Sequence, residues 1–172
     1  KAYAALREIY AGQATALARG LRDGAFSFNT PGGRCEVCEG AGWVTVEMYF
    51  LADLLVPCEA CGGARFRSEV LEVRYRGLDI RQALDLTVDQ AFEHFAGEPR
   101  FTRHLHLLRR VGLGYLRLGQ AANQLSGGEA QRLKIARELS ERSAGTALYL
   151  LDEPTVGLHF ADVQRLLDVL DE

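Results

Sequence analysis

No run of about 18 consecutive apolar residues occurs in this chain, and Lys1 to Arg19 lacks the continuous hydrophobic region of a secretion signal. Helical membrane spanning and secretion are therefore not expected, and a cytoplasmic location is the default. An excess of one charge is also missing. The 20 Lys+Arg stand against 23 Asp+Glu for a formal net charge of −3, so no global cationic field announces a nucleic acid. Any such contact would have to come from a local patch. Cysteine is scarce, and all four fall in two CxxC pairs, which in an intracellular-looking chain favours metal binding over a disulfide framework. The last absence is GxxxxGK[ST], the loop whose backbone and lysine cradle nucleotide phosphates.

The cysteines form one candidate metal site. A two-residue spacer lets a tight turn aim both sulfurs of Cys35 and Cys38 inward, and Cys58 and Cys61, separated from them by nineteen residues, can close a tetrahedron. Four thiolates leave no open position and no histidine lies near, so the site is structural, with Zn²⁺ favoured over an iron–sulfur centre or a pair of redox dithiols. Around it, residues 24–78 form a small module. A Gly-, Asn- and Pro-containing loop from Gly24 to Gly33 leads to the first pair, and Trp43 to Phe50 alternate with the period of a half-buried strand. A second alternating stretch, Val70 to Tyr75, predicts another strand. The module is β-rich and too poor in core to stand without its metal.

From Asp79 the periodicity becomes helical. Asp79 with Gln82, Thr87 with Gln90, and Ser126 with Glu129 all have capping-box spacing, predicting two short helices broken near Leu86 and another beginning at Gly127. Phe101 to Val111 predict a further helix. A helix starting at Gly127 leaves its first backbone N–H groups available to an anion, and Gly127 and Gly128 admit a phosphate without a Cβ in the way. Alone, that sequence is most often just a helix start. Here it belongs to Leu125-Ser-Gly-Gly-Glu-Ala-Gln-Arg132 and is followed by Ala147-Leu-Tyr-Leu-Leu-Asp-Glu-Pro-Thr155, an apolar strand ending in Asp152-Glu153.

These two segments resemble the signature and Walker B motifs of the ABC-type ATPases. Within them the chain resembles the UvrA family of bacterial nucleotide excision repair, through Phe26-Ser-Phe-Asn-Thr-Pro-Gly-Gly-Arg-Cys35, Val46-Glu-Met-Tyr-Phe50 and Gly112-Leu-Gly-Tyr-Leu-Arg-Leu-Gly119. The resemblance implies an α/β fold with a small zinc-stabilised β-rich module, as a fragment of such an ATPase. Its parts would be a helical connector at 1–23, the four-cysteine zinc module at 24–78, the signature subdomain at 79–143 and a partial ATP-binding core at 144–172. By the same resemblance Asp152 would orient Mg²⁺ and Glu153 would polarise the attacking water. Ser126, Gly127, Gly128, Glu129 and Gln131 would face ATP held by a second nucleotide-binding domain. The phosphate-loop lysine is expected before Lys1 and the switch histidine after Glu172, with His159 belonging to the D-loop pattern.

The implied partners of the parent are damaged double-stranded DNA, a second copy in a homodimer and a UvrB-like repair subunit, with no membrane. The residues themselves leave DNA contact open. Arg34, Arg65, Arg67, Arg74 and Arg76 crowd the cysteine module, but Glu36, Glu39, Glu59, Glu69 and Glu72 are interleaved, as on a solvated mixed-charge surface. A self-resistance paralogue, another ABC-type ATPase and a zinc-stabilised protein-interaction module are the alternative functions.

Overall fold

The computed structural model describes residues 1–48, 50, 53–140, 150, 153, 155, 163, 164 and 167. Two compact units divide the chain between Ala83 and Leu84. The first contains α1 (Ala2–Ala11), α2 (Ala14–Ala18), a 3₁₀ turn at Asp23–Phe26, the hairpin β1 (Trp43–Val46) and β2 (Leu54–Pro57), and α3 (Ser68–Leu71). The second carries α5 (Val88–His94), α6 (Pro99–Arg110) and α7 (Gly127–Ser140), while α4 (Ile80–Asp85) straddles the division.

In the first unit the core is aromatic. Leu6, Tyr10, Phe26, Phe66, Val70 and Val73 are all buried, and Tyr10 stacks on Phe26 at 5.7 Å between ring centroids. Burial obliges a tyrosine hydroxyl to find partners. That of Tyr10 donates to the carbonyls of Leu78 and Asp79, each at 3.0 Å, and burial drives its pKa well up. The Tyr3 hydroxyl donates to the Phe26 carbonyl at 2.9 Å and accepts the Phe28 N–H at 3.0 Å, which fixes the chain leading to Cys35.

Two strand expectations are corrected. Val70 to Tyr75 contains part of α3 and then a turn closed by an isolated bridge between Tyr75 and Leu78. The alternation arose because Val70 and Val73 are buried at helical spacing. The partner of β1 is instead β2, antiparallel with Trp43 opposite Pro57 and Val46 opposite Leu54. This hairpin is not half-buried: Trp43, Val46, Met48, Phe50, Leu54 and Leu55 are all exposed.

Helical expectations fare better. The Asp79–Gln82 box closes with 2.8 and 3.0 Å bonds, and the Thr87–Gln90 box with 3.0 and 3.2 Å bonds. The second unit has its core in Val111, Leu113, Leu116, Ile135 and Ala136, with Leu107, Leu108, Leu125 and Leu139 packed against it. Between α6 and α7 the segment 112–119 is fastened to residues 84–89. Val88 N–H donates to Leu116, Asp89 to Gly114, Leu118 to Leu86 and Gly119 to Leu84.

Candidate metal centre and signature helix

The four sulfurs converge. All lie within 4.8 Å of one another, with Cys35 to Cys58 at 3.9 Å and Cys38 to Cys61 at 3.7 Å. Zn–S bonds of about 2.3 Å in a tetrahedron place sulfurs roughly 3.8 Å apart, so these two spacings match a zinc ion. It is far too long for a disulfide, whose sulfurs stand about 2.05 Å apart. Cys35, Cys38 and Cys58 are buried beside Ala41 and Val44, so the site is closed to solvent on most sides.

The local surroundings act on two of these thiols in opposite directions. The Cys38 N–H, aided by that of Val37, holds the Cys35 thiol down at about 7, while burial pushes Cys61 up to about 11. A bound dication deprotonates coordinating thiols outright. Gly42 N–H donates to the Cys38 sulfur at 3.3 Å, a polar partner of the kind that orients a ligand atom. Both knuckles favour glycine just past the pair, because Gly40, Gly62 and Gly63 have φ of +86°, +56° and +78°.

The arginines around this centre are largely engaged. Arg34 pairs with Glu39 at 3.3 Å, and Arg67 pairs with both Glu36 and Glu69. Arg65 lies over the Phe28 ring at 4.5 Å, Arg74 donates to the Gly77 carbonyl, and Arg76 lies over Tyr75. The interleaved charges thus form a mixed-charge surface.

The second candidate site is the start of α7. Ser126 Oγ accepts the Glu129 N–H at 3.3 Å, and Glu129 Oε2 accepts the Ser126 N–H at 2.7 Å, closing the capping box. Ser126 keeps its own O–H as a donor. A Cβ added to Gly127 would meet nothing within 4 Å and its φ is not left-handed, so nothing among its described neighbours calls for glycine there. Gly128 and Glu129 are half-exposed, as is Gln131.

Two residues of this site were not legible as such in the sequence. Tyr115 donates its hydroxyl to Glu129 Oε1 at 2.6 Å. Arg132, only 4% exposed, donates to the Gly128 carbonyl at 3.3 Å and to those of Val111 and Gly112 at 3.4 Å. The sequence signal for Arg132 is slight: it follows the capping residue Glu129 by three positions, on the side that carries Ile135 and Ala136. Asp152 lies outside the described residues, as does most of the segment around it. Glu153 is exposed with a φ of 44°.

A family model described as ABC transporter matches residues 65–156, more than half of the chain and inclusive of the signature helix. The chain belongs to this ABC family. The ABC-family segment is moreover of the UvrA type. It is 56% identical over 165 residues to UvrABC system protein A of Methanothermobacter thermautotrophicus, covering 96% of this chain and 17% of that protein. Against the Escherichia coli K12 protein of the same name the identity is again 56% over 165 residues, with 96% and 18% covered. The crystal structure of UvrA2 from Deinococcus radiodurans superposes with a TM-score of 0.88 at 53% identity, covering 98% of this chain and 21% of that one. The ABC-family segment therefore spans about a fifth of the length of these relatives. Among its described residues, no helix is long and apolar enough to cross a membrane.

Proposed function

We propose that this segment belongs to an ATPase that recognises damaged double-stranded DNA and initiates nucleotide excision repair. In this reading α7 is one jaw of a composite ATP site. The observation that carries it is the open start of α7, where an exposed serine caps the helix and an exposed glycine is its first residue. Helix starts of this kind receive anions because their N–H groups lack intrahelical partners. The γ-phosphate of ATP held on a second nucleotide-binding domain is the anion proposed, and Gln131 lies one turn further along the same jaw. A phosphate loop elsewhere in the parent holds the nucleotide, Asp152 organises Mg²⁺, and Glu153 polarises water.

Zn²⁺ in the Cys35, Cys38, Cys58 and Cys61 cluster is structural in this proposal, and supplies folding energy. For DNA phosphates, the supporting feature lies in the second unit: residues 99–128 carry Arg100, Arg103, Arg109, Arg110 and Arg117 with no acidic residue, although Arg109 is paired with Asp89 at 2.6 Å. The parent acts as a homodimer in the cytoplasm together with a UvrB-like subunit. For the cysteine module itself, a protein-interaction role is favoured by the engaged arginines and by the exposed apolar hairpin.

Gly127→Asp and Glu153→Gln in the full-length protein test this reading. Gly127→Asp should preserve initial nucleotide binding but abolish hydrolysis, since its carboxylate repels the phosphate it faces. Glu153→Gln should allow closure while slowing single-turnover hydrolysis by at least about a hundredfold. Unchanged single-turnover hydrolysis with Gly127→Asp would leave residues 126–128 as a cap without catalytic duty.

A further inference from the structure

Glu129 poses an electrostatic problem for a helix start that receives phosphate. Its carboxylate sits in the first turn of α7, where the helix dipole favours a negative charge, but where that same charge competes with an incoming anion. Both of its oxygens are occupied: Oε2 takes the Ser126 N–H at 2.7 Å and Oε1 the Tyr115 hydroxyl at 2.6 Å. Arg132, the cation nearest in sequence, directs its guanidinium to the carbonyls of Gly128, Val111 and Gly112. Tyr115 gives this carboxylate its strongest side-chain hydrogen bond, with the Ser126 side chain and the charge of Arg132 as smaller contributions.

The backbone that carries Tyr115 is fixed on both sides. Gly114 and Leu116 carbonyls accept the N–H groups of Asp89 and Val88, and Leu113 and Leu116 are buried. A Cβ at Gly114 would stand 2.4 Å from an Asp89 carboxylate oxygen, so the chain passes too close there to shift freely. Tyr115 itself is 55% exposed. Packing does not demand a tyrosine at such a position, whereas a hydroxyl held at the end of a rigid ring meets what Glu129 requires.

We propose that Tyr115 is a positioning residue for the signature: its hydroxyl pins the Glu129 carboxylate against the Ser126 backbone, keeping that charge out of the space where phosphate meets Ser126, Gly127 and Gly128. The proposal rests on reading α7 as the phosphate-facing jaw. The hydrogen bond from Tyr115 is also the first cause of the lowered Glu129 pKa, ahead of the Ser126 N–H, so the carboxylate remains charged and needs restraint throughout the neutral range.

The test is ATP turnover by the full-length protein, measured for the unmodified protein, Tyr115→Phe, Glu129→Gln and the double variant. Phe keeps the ring and removes only the donor; Gln keeps an acceptor for Ser126 and removes the charge. Tyr115→Phe should lower kcat about fivefold, the worth of one partly exposed hydrogen bond to a charged group, with KM for ATP unchanged. In the Glu129→Gln background the same change should produce no further loss, because no charge remains to be held. No loss in Tyr115→Phe, or the same loss in both backgrounds, overturns the proposal and leaves Tyr115 with a packing role. Absence of turnover in the unmodified full-length protein instead sinks the ATPase reading, and the role of Tyr115 falls with it.

Discussion

Gly40 and Gly62 both follow a CxxC pair and both have left-handed backbones, yet alanine should affect them very differently. At Gly62, with φ +56°, an added Cβ meets nothing within 4 Å. The substitution there costs only the left-handed penalty of an L-residue, about 1–2 kcal/mol. At Gly40, φ is +86° and the Cβ would stand 2.0 Å from the Phe28 carbonyl oxygen and 2.9 Å from its carbon. Relief requires backbone movement of more than about 1 Å, and overpacking of this kind adds about 1–3 kcal/mol or more. Phe28 cannot yield easily, because its N–H is bonded to Tyr3 and its ring lies against Tyr3 and Arg65. Gly40→Ala should therefore destabilise by about 2–5 kcal/mol in all, a large share of a typical domain's stability. Urea unfolding, followed together with zinc release to a chromogenic chelator, reads both quantities. Equal losses of stability and equal release rates for the two variants would refute the claim that the Phe28 carbonyl sets the difference.

Two further outcomes follow from the same geometry. Purified protein should contain about one zinc per chain, and a strong chelator should unfold the cysteine module while Cys58→Ser prevents metal retention; stoichiometric disulfides without metal in nonoxidised protein would contradict it. The Glu129 pKa is lowered first by the Tyr115 hydroxyl and next by the Ser126 N–H, so its contribution to the start of α7 is present above the ordinary glutamate value and is lost as pH falls through the lowered one. An NMR titration of Glu129 and the Ser126 amide from pH 6 to about 2 should show this, and a Glu129 midpoint at or above the ordinary value of about 4.3 would refute it.

The sequence announces features in which a few neighbouring residues dictate a local structure. Capping boxes at Asp79, Thr87 and Ser126 depend on side chains only three positions from the backbone they bond, and all three form. The cysteine cluster is equally legible, since tight CxxC turns leave little choice about where the sulfurs point. Pairing between separated segments was less so. Val70 to Tyr75 has strand-like alternation, but Val70 and Val73 are drawn into the core on one side of a helical turn. Leu54 to Pro57 shows little alternation, and it pairs because it lies opposite β1. Tyr115 and Arg132 escaped for a similar reason, as their partners at positions 129 and 111–112 are set by the way α6 and α7 pack.

The Arg132 guanidinium bears on how the second unit can deform. It clasps the residues just past the end of α6 through the Val111 and Gly112 carbonyls and the first turn of α7 through the Gly128 carbonyl. Rotating α7 about its axis by one residue, roughly 100°, would carry the guanidinium away from both carbonyls and strand a buried cation, at a cost of about 3–5 kcal/mol. Gentler distortions that move the two helices together leave the clasp intact. The Arg132 clasp therefore acts as a rivet between the end of α6 and the head of α7, where the serine and glycines sit.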